Sequence, residues 1–240
     1  MIKKFTIMIL SFFDSIYQKK IINFLKNQKF KLNVIIDVGA HKGETIDLFL
    51  KNFNPKKIFS FEASKKNFEI LNKKISVYKY KYPNTQIYLE NKALGNMSEL
   101  REFKQMKESS SSTFANINFD SDYLKKKKFF LGIKDNKELF DISKIKITPL
   151  SNYLCENNLH EIDLLKIDTE GYEFQILKGA ERDLQKFELI FFEHHYDNMI
   201  KKGYTFSDIN NLLISKKFKL IFKAKMPFRR VFEYIYRNQK

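Results

Sequence analysis

Cysteine is all but absent: Cys155 is the one thiol in 240 residues. No disulfide can form within the chain, and the composition fits a reducing, cytoplasmic compartment. Cys155 itself reads as a small apolar residue on a helix face. Long apolar runs are missing too. The nearest approach to one, Phe5 to Phe13, has nine residues, against the ~20 that a membrane-spanning helix needs. Arginine is scarce: five of the 44 basic residues are Arg (101, 182, 229, 230 and 237), although the net charge is +16. Nucleic-acid surfaces lean on Arg for bidentate contacts to bases and phosphates. The lysine surplus therefore reads as background in a chain rich in Lys, Asn, Ile and Phe, and a nucleic-acid partner is not expected. Glycine is the last shortage and an informative one, because five of the seven glycines (39, 43, 95, 171 and 179) fall in or beside strand–helix junctions.

What the chain does have is organised around Val34-Ile35-Ile36-Asp37-Val38-Gly39-Ala40-His41-Lys42-Gly43. The β-branched run reads as a buried strand and Glu44 to Phe49 as the start of a helix, so the glycines occupy a tight strand-to-helix turn. Such turns are where α/β sheets bind cofactors. The dinucleotide fingerprint, with glycine at positions one, three and six, fails here in every register. That disfavours a nucleotide-sugar oxidoreductase. Asp37 suits a ligand that carries positive charge, as S-adenosylmethionine does on its ammonium and sulfonium groups, and Asp-x-Gly-x-x-x-Gly looks like the first motif of class I methyltransferases. A second strand, Lys57 to Phe61, runs into Glu62, 25 residues after Asp37. An ionised carboxylate there accepts both ribose hydroxyl protons; the blander reading is a solvated strand end beside the helix that Ser64 opens. After a third strand, Gln86 to Asn91, comes Ala93-Leu94-Gly95. The small residue beside a glycine leaves room for an adenine ring, with an ordinary turn as the alternative.

Residues 1–30 form an N-terminal segment in which Phe5, Met8, Ile9, Phe12, Phe13 and Ile16 recur at helical spacing before Lys19, Lys20 and Lys26. A helix packed on the domain is the first expectation, and peripheral contact with an anionic inner-membrane surface is the second. Residues 31–240 read as one domain. Within it, 96–148 is the least periodic part and is expected to be an insertion over the rim of the site. Beyond it, Ile145 to Thr148 reads as a short strand, Leu150 to Asn158 as a helix, Ile162 to Asp168 as a strong strand and Phe174 to Leu184 as a helix. Leu189 to Phe192 gives another strand, followed by Glu193-His194-His195, a helix from Thr205 to Lys217, and two strands joined around Pro227. The expected fold is α/β, a seven-stranded, mostly parallel sheet whose last pair is a hairpin.

Asp37 to Gly43, Phe61-Glu62-Ala63, Ala93-Leu94-Gly95, Leu164-Leu165-Lys166-Ile167-Asp168-Thr169-Glu170-Gly171-Tyr172-Glu173 and Leu177-Lys178-Gly179-Ala180 together resemble the FkbM family of methyltransferases. The likeness covers about residues 30–195, and the motif ending in Glu173 is its most distinctive part. It implies a class I, Rossmann-like fold, S-adenosylmethionine as donor, and methylation of an oxygen, often on a sugar, polyketide or surface glycan. Cofactor contacts are then expected from Asp37, Gly39, Ala40, His41, Gly43, Glu62, Ala63 and Ala93. The family usually has Pro after the second acidic residue; here Ala63 stands there.

Methyl transfer to a hydroxyl needs alignment of oxygen, methyl and sulfur, and a group to take the proton. The strand ends offer Asp168, Glu170, His194 and His195. Asp168 and Glu170 could orient the acceptor, act as base, or hold a divalent metal with His194 or Glu193. Their blander roles are capping the next helix and meeting its positive end. Two histidines after a strand are commonly partly exposed loop. The rival reading of the whole chain is a non-catalytic, basic nucleic-acid-binding protein on this fold, which would bind polyanions with steep salt dependence, or an interaction protein that binds cofactor without turnover.

Overall fold

The computed structural model describes residues 17–107, 111–133, 135–227 and 229–240. Its centre is a seven-stranded sheet built from β1 (Val34–Val38), β2 (Lys57–Phe61), β3 (Gln86–Glu90), β8 (Ile162–Ile167), β9 (Phe187–His195), β11 (Phe218–Lys225) and β12 (Val231–Asn238). The order across the sheet is β11-β12-β9-β8-β1-β2-β3. Neighbours from β9 to β3 run parallel, and β12 is antiparallel to both β9 and β11. The chain departs from β1 in both directions, so the β1–β8 boundary is the switch point where such sheets open a ligand crevice.

The central strands are apolar on both faces, as covered parallel strands must be. Consecutive residues feed opposite layers. Ile35, Leu164 and Leu189 pack with Leu25, Phe49 and Leu50 on one side. Ile36, Leu165 and Ile190 pack with Leu154, Ile176 and Leu213 on the other. The first layer holds α1 (residues 17–27), α2 (Glu44–Phe53) and α3 (Lys65–Lys81); the second holds α5 (Leu150–Glu156), α6 (Glu173–Gly179) and α7 (Phe206–Ser215). Helix starts carry their chemistry in the sequence. Ser64 accepts from Asn67 N–H at 3.1 Å, and Thr205 and Asp208 form a reciprocal capping box at α7. Helix α1 is held by buried Tyr17, Ile21, Ile22 and Leu25 and by the Tyr17 hydroxyl donating to Ala224 O at 2.8 Å. The apolar run expected to begin this helix, Phe5 to Ile16, lies outside the described residues. Among the described residues no helix is long and apolar enough to cross a membrane.

Several local expectations need correction. Ile145 to Thr148 belongs to the longer β7 (Phe140–Pro149), which stays out of the main sheet and pairs with β4 (Ala93–Gly95) and β5 (Glu99–Met106) in a separate three-stranded sheet. Periodicity reports a strand but not its partner. Ala93-Leu94-Gly95 is accordingly a strand and not a turn. Residues 96–148 also supply β6 (Asn116–Ile117), paired with β10 (Ile200–Lys201), and α4 (Asp122–Leu131). The helix expected from Phe174 to Leu184 ends at Gly179 and continues as a 3-10 turn, Glu181–Lys186. At that break a Cβ on Gly179 would lie 1.8 Å from Gly95 O, so glycine is what lets α6 touch β4. Cys155 is exposed on α5 instead of facing the core.

Candidate functional site

The turn after β1 is locked to both neighbouring strands. The N–H groups of Gly39 and Ala40 donate to Phe61 O at 2.9 and 3.0 Å. Gly39 has φ +87°, and a Cβ there would fall 1.8 Å from Asp168 O. No side chain fits, and the φ is one that L-residues rarely adopt. Next along the turn, His41 has φ 48° and its N–H donates to Glu62 Oε2 at 2.7 Å. Ser64 N–H donates to Glu62 Oε1 at 2.8 Å. Each Glu62 oxygen therefore keeps lone-pair capacity for a further donor. Burial pushes the Glu62 carboxyl up to about 7, with the Ser64 and His41 N–H groups pulling the other way.

These residues edge a cavity of about 390 Å³, within the range of small-ligand sites. Gly39, Ala40, His41, Glu62, Ala63 and Ala93 all line it. Asp37 and Gly43 do not. Asp37 is completely buried beneath the turn, and Gly43 starts α2 with Leu71 and Tyr78 against it. In the cavity wall, Lys166 Nζ lies 3.1 Å from Asp168 Oδ2, 3.1 Å from Thr45 Oγ1 and 3.7 Å from Asp37 Oδ1. Burial pushes the ammonium towards neutrality, but the two carboxylates outweigh it and hold Lys166 above its ordinary value. Burial in turn raises Asp37 to about 6, against the pull of Lys166. Asp37 thus acts on the site through Lys166, tying β1 to β8 under the turn.

The far end of the cavity is acidic. Asp168, Glu170, Glu193 and Glu233 line it. Glu170 sits at φ 53° before Gly171 at φ 90°, a strained turn of the kind that collects at functional sites. The Thr113 hydroxyl donates to its carbonyl at 2.7 Å. Through that bond, and through Phe103 and Ser112 in the cavity wall, the 96–148 segment reaches the site. Glu193 and Glu233 face each other across β9 and β12, both buried. His195 follows two residues after Glu193 on the same side of β9, with Nε2 2.8 Å from Glu193 Oε1 and 3.3 Å from Glu170 Oε2. Its Nδ1 meets Asp197 Oδ2 at 3.2 Å.

The four strand-end candidates therefore separate, with His195 in contact with Glu170. Asp168 and Glu170 share the cavity, while His194 points to the other side of β9 and does not line it. There the imidazole packs against Tyr196, Tyr204 and Phe206, and burial with nearby Lys202 pushes it down to about 3. The Glu-His-His triplet is strand, not loop, because β9 runs to His195. Period-two alternation applied through residue 195 would have paired Glu193 with His195 and excluded His194. Two further residues were visible in the motif but unassigned. Lys166 is one. Glu173 is the other: it is buried, and its Oε1 accepts from Thr169 N–H, Thr169 Oγ1 and Gly171 N–H at 3.2, 3.2 and 3.0 Å, while Tyr204 O–H donates to its other oxygen. It holds the Asp168–Gly171 turn in shape.

The fold is shared with solved methyltransferases. An FkbM methyltransferase from Methylobacillus flagellatus KT superposes with a TM-score of 0.54 at 15% identity, over 86% of this chain and 44% of that one. The chain thus spans less than half the length of that protein. Magnesium protoporphyrin IX methyltransferase from Synechocystis PCC 6803 superposes with a TM-score of 0.52 in each of two structures. One has bound S-adenosylmethionine (8% identity, 95% of this chain and 81% of that one). The other has bound S-adenosylhomocysteine (7% identity, 96% and 85%). No curated protein matches the chain. Sequence comparison goes further than the fold, because the Methyltransferase FkbM domain matches residues 37–220. The chain belongs to the FkbM methyltransferase family.

Proposed function

We propose that this protein binds S-adenosylmethionine along the β1 turn and transfers its methyl group to a hydroxyl oxygen of a sugar, glycan or related natural product. The observation that carries the reading is a single cavity with two chemically different ends. One end has exposed turn backbone, a carboxylate with free lone pairs (Glu62) and a small wall residue (Ala93), as a nucleoside with a ribose diol requires. The other presents Asp168, Glu170 and Glu193, groups able to orient a hydroxyl and accept its proton. In the transfer, the oxygen–methyl bond forms as the sulfur–methyl bond breaks, the sulfonium becomes a neutral thioether, and the hydroxyl proton passes to a carboxylate. Asp168 is the best placed, since its side chain is 35% exposed while Lys166 fixes one oxygen from below. The donor's positive charge also suits an acidic site.

The test is calorimetric binding of S-adenosylmethionine and S-adenosylhomocysteine, with NAD as control, followed by mass-spectrometric screening of pooled glycans and polyols for a gain of one methyl. Saturable binding of both sulfur ligands, weakened in Glu62→Ala, and turnover lost in Asp168→Asn are expected. Folded wild type that binds neither ligand, with or without the acceptor pool, would sink the assignment.

A further inference from the structure

Glu170, Glu193 and His195 bring three potential ligand atoms within 4.8 Å of one another. A metal with ligands at about 2.1 Å and right angles spaces neighbouring ligand atoms by about 3.0 Å. The contacts from His195 Nε2, 2.8 and 3.3 Å, match that spacing. Yet Nε2 makes no hydrogen bond of acceptable angle, and neither does Glu170 Oε2; both atoms are buried. The His195 side chain is only 10% exposed, so water does not relieve it. Its other nitrogen is engaged by Asp197, the carboxylate–imidazole arrangement that fixes the tautomer and aims the Nε2 lone pair at a metal.

We propose that Glu170, Glu193 and His195 hold a divalent cation of the Mn2+ or Mg2+ class at the acceptor end of the cavity, leaving coordination positions open to two neighbouring oxygens of a polyhydroxyl acceptor. The two carboxylates suit these cations, and the imidazole favours Mn2+ over the strictly oxygen-seeking Mg2+. Local charge points the same way. Asp37, Asp168, Glu170, Glu193 and Glu233 cluster here, Glu193 beside Glu233 across β9 and β12, while Lys166 and His195 contact four of the five. A dication answers that excess. Bound to the acceptor, it would polarise the hydroxyl and fix its approach. The acceptor half of this inference rests on the methyl-transfer reading; the cation half does not.

The experiment uses full-length protein, stripped with EDTA and titrated with MnCl2 while the free-ion signal is followed by electron paramagnetic resonance. Saturation at one Mn2+ per chain is expected. Glu193→Gln and His195→Gln should bind ~100-fold more weakly or worse, and Asp197→Asn, a positioning change, ~10–100-fold more weakly. Asp197→Asn leaves all three ligands in place, so it keeps the test decisive where a ligand variant fails to fold. S-adenosylhomocysteine calorimetry on each protein separates the two readings. Wild type that binds the nucleoside but not Mn2+, or variants that bind Mn2+ as wild type does, overturn the cation site and leave His195 an ion-paired imidazolium. Wild type that binds Mn2+ but neither sulfur ligand upholds the site and overturns methyl transfer.

Discussion

Cofactor affinity should depend on pH through Glu62. In the empty protein its carboxyl is pushed from 4.5 to about 7 by burial. A raised acid value means that folding favours the protonated form: the empty protein loses stability as pH rises from about 4.5 to about 7, a difference of about 3 kcal/mol. A ribose diol reverses the preference, because its two hydroxyls donate and need the ionised, acceptor-only group. Apparent affinity then scales with the ionised fraction of the free protein. With a value of about 7, that fraction is about 0.1 at pH 6 and about 0.9 at pH 8. S-adenosylhomocysteine should therefore bind about tenfold more tightly at pH 8 than at pH 6. Calorimetric titration at half-unit steps measures this, in wild type and in a His41→Asn background that takes the imidazole out of the turn while keeping a side chain tolerant of φ 48°. Glu62→Gln should bind weakly with a shallower slope, since its amide turns a donor towards either the His41 or the Ser64 N–H. A flat wild-type affinity across this window, in protein shown to be folded at both ends, would refute the reasoning.

Three other outcomes follow from the geometry. Gly39→Ala has nowhere to put its methyl except into Asp168 O, so urea unfolding should show a loss of about 3 kcal/mol or more together with loss of nucleoside binding. A midpoint unchanged from wild type would contradict the contact. Lys166→Met strands two carboxylates and should cost about 3–5 kcal/mol near neutrality. Lys166 lowers Asp37, so without it Asp37 rises further above about 6; the deficit should shrink as pH falls towards 5, where Asp37 is protonated in the folded state, and a deficit that instead grows on acidification would count against the pairing. Glu173→Gln should cost about 1–3 kcal/mol and speed hydrogen exchange at the Thr169 and Gly171 amides specifically, whereas uniform acceleration across the chain would mean global destabilisation alone.

The sheet was legible because its strands are short, apolar and closed by turn residues within a few positions, as at Val34 to Gly43. The turn after β1 was legible for the same reason: Gly39, Ala40 and His41 are placed by backbone geometry that a short motif encodes, and the Glu62 carboxylate that accepts from His41 N–H stands just past the end of β2. The acidic end was only partly legible. Asp168 and Glu170 stand in a recognisable motif, but whether His194 or His195 joins them depends on how far β9 extends, and alternation cannot be applied until the strand end is known. Glu233 is less visible still. It meets Glu193 only because β12 inserts antiparallel beside β9, a pairing set by the whole topology. The β7–β4 pairing was hidden likewise, since strand periodicity carries no label for its neighbour.

The long motif from Lys166 to Glu173 makes sense as a joint rather than as a list of reactive groups. Lys166 reaches under the turn to Asp37, the Asp168 carbonyl fills the space a side chain at position 39 would take, and Glu173 gathers the amides between them. The first two contacts fix the end of β8 relative to the turn after β1 and the third stiffens the turn that follows β8; under the proposed methyl transfer, these are the places where donor and acceptor would be held in line. A displacement of about 1 Å between them would forfeit much of the rate, since alignment is the larger part of what a methyl transfer asks of its enzyme. The residues that touch ligand can then be few, provided the residues that set their spacing are buried, charged and mutually dependent. That is the character of Asp37, Lys166 and Glu173, none more than 6% exposed.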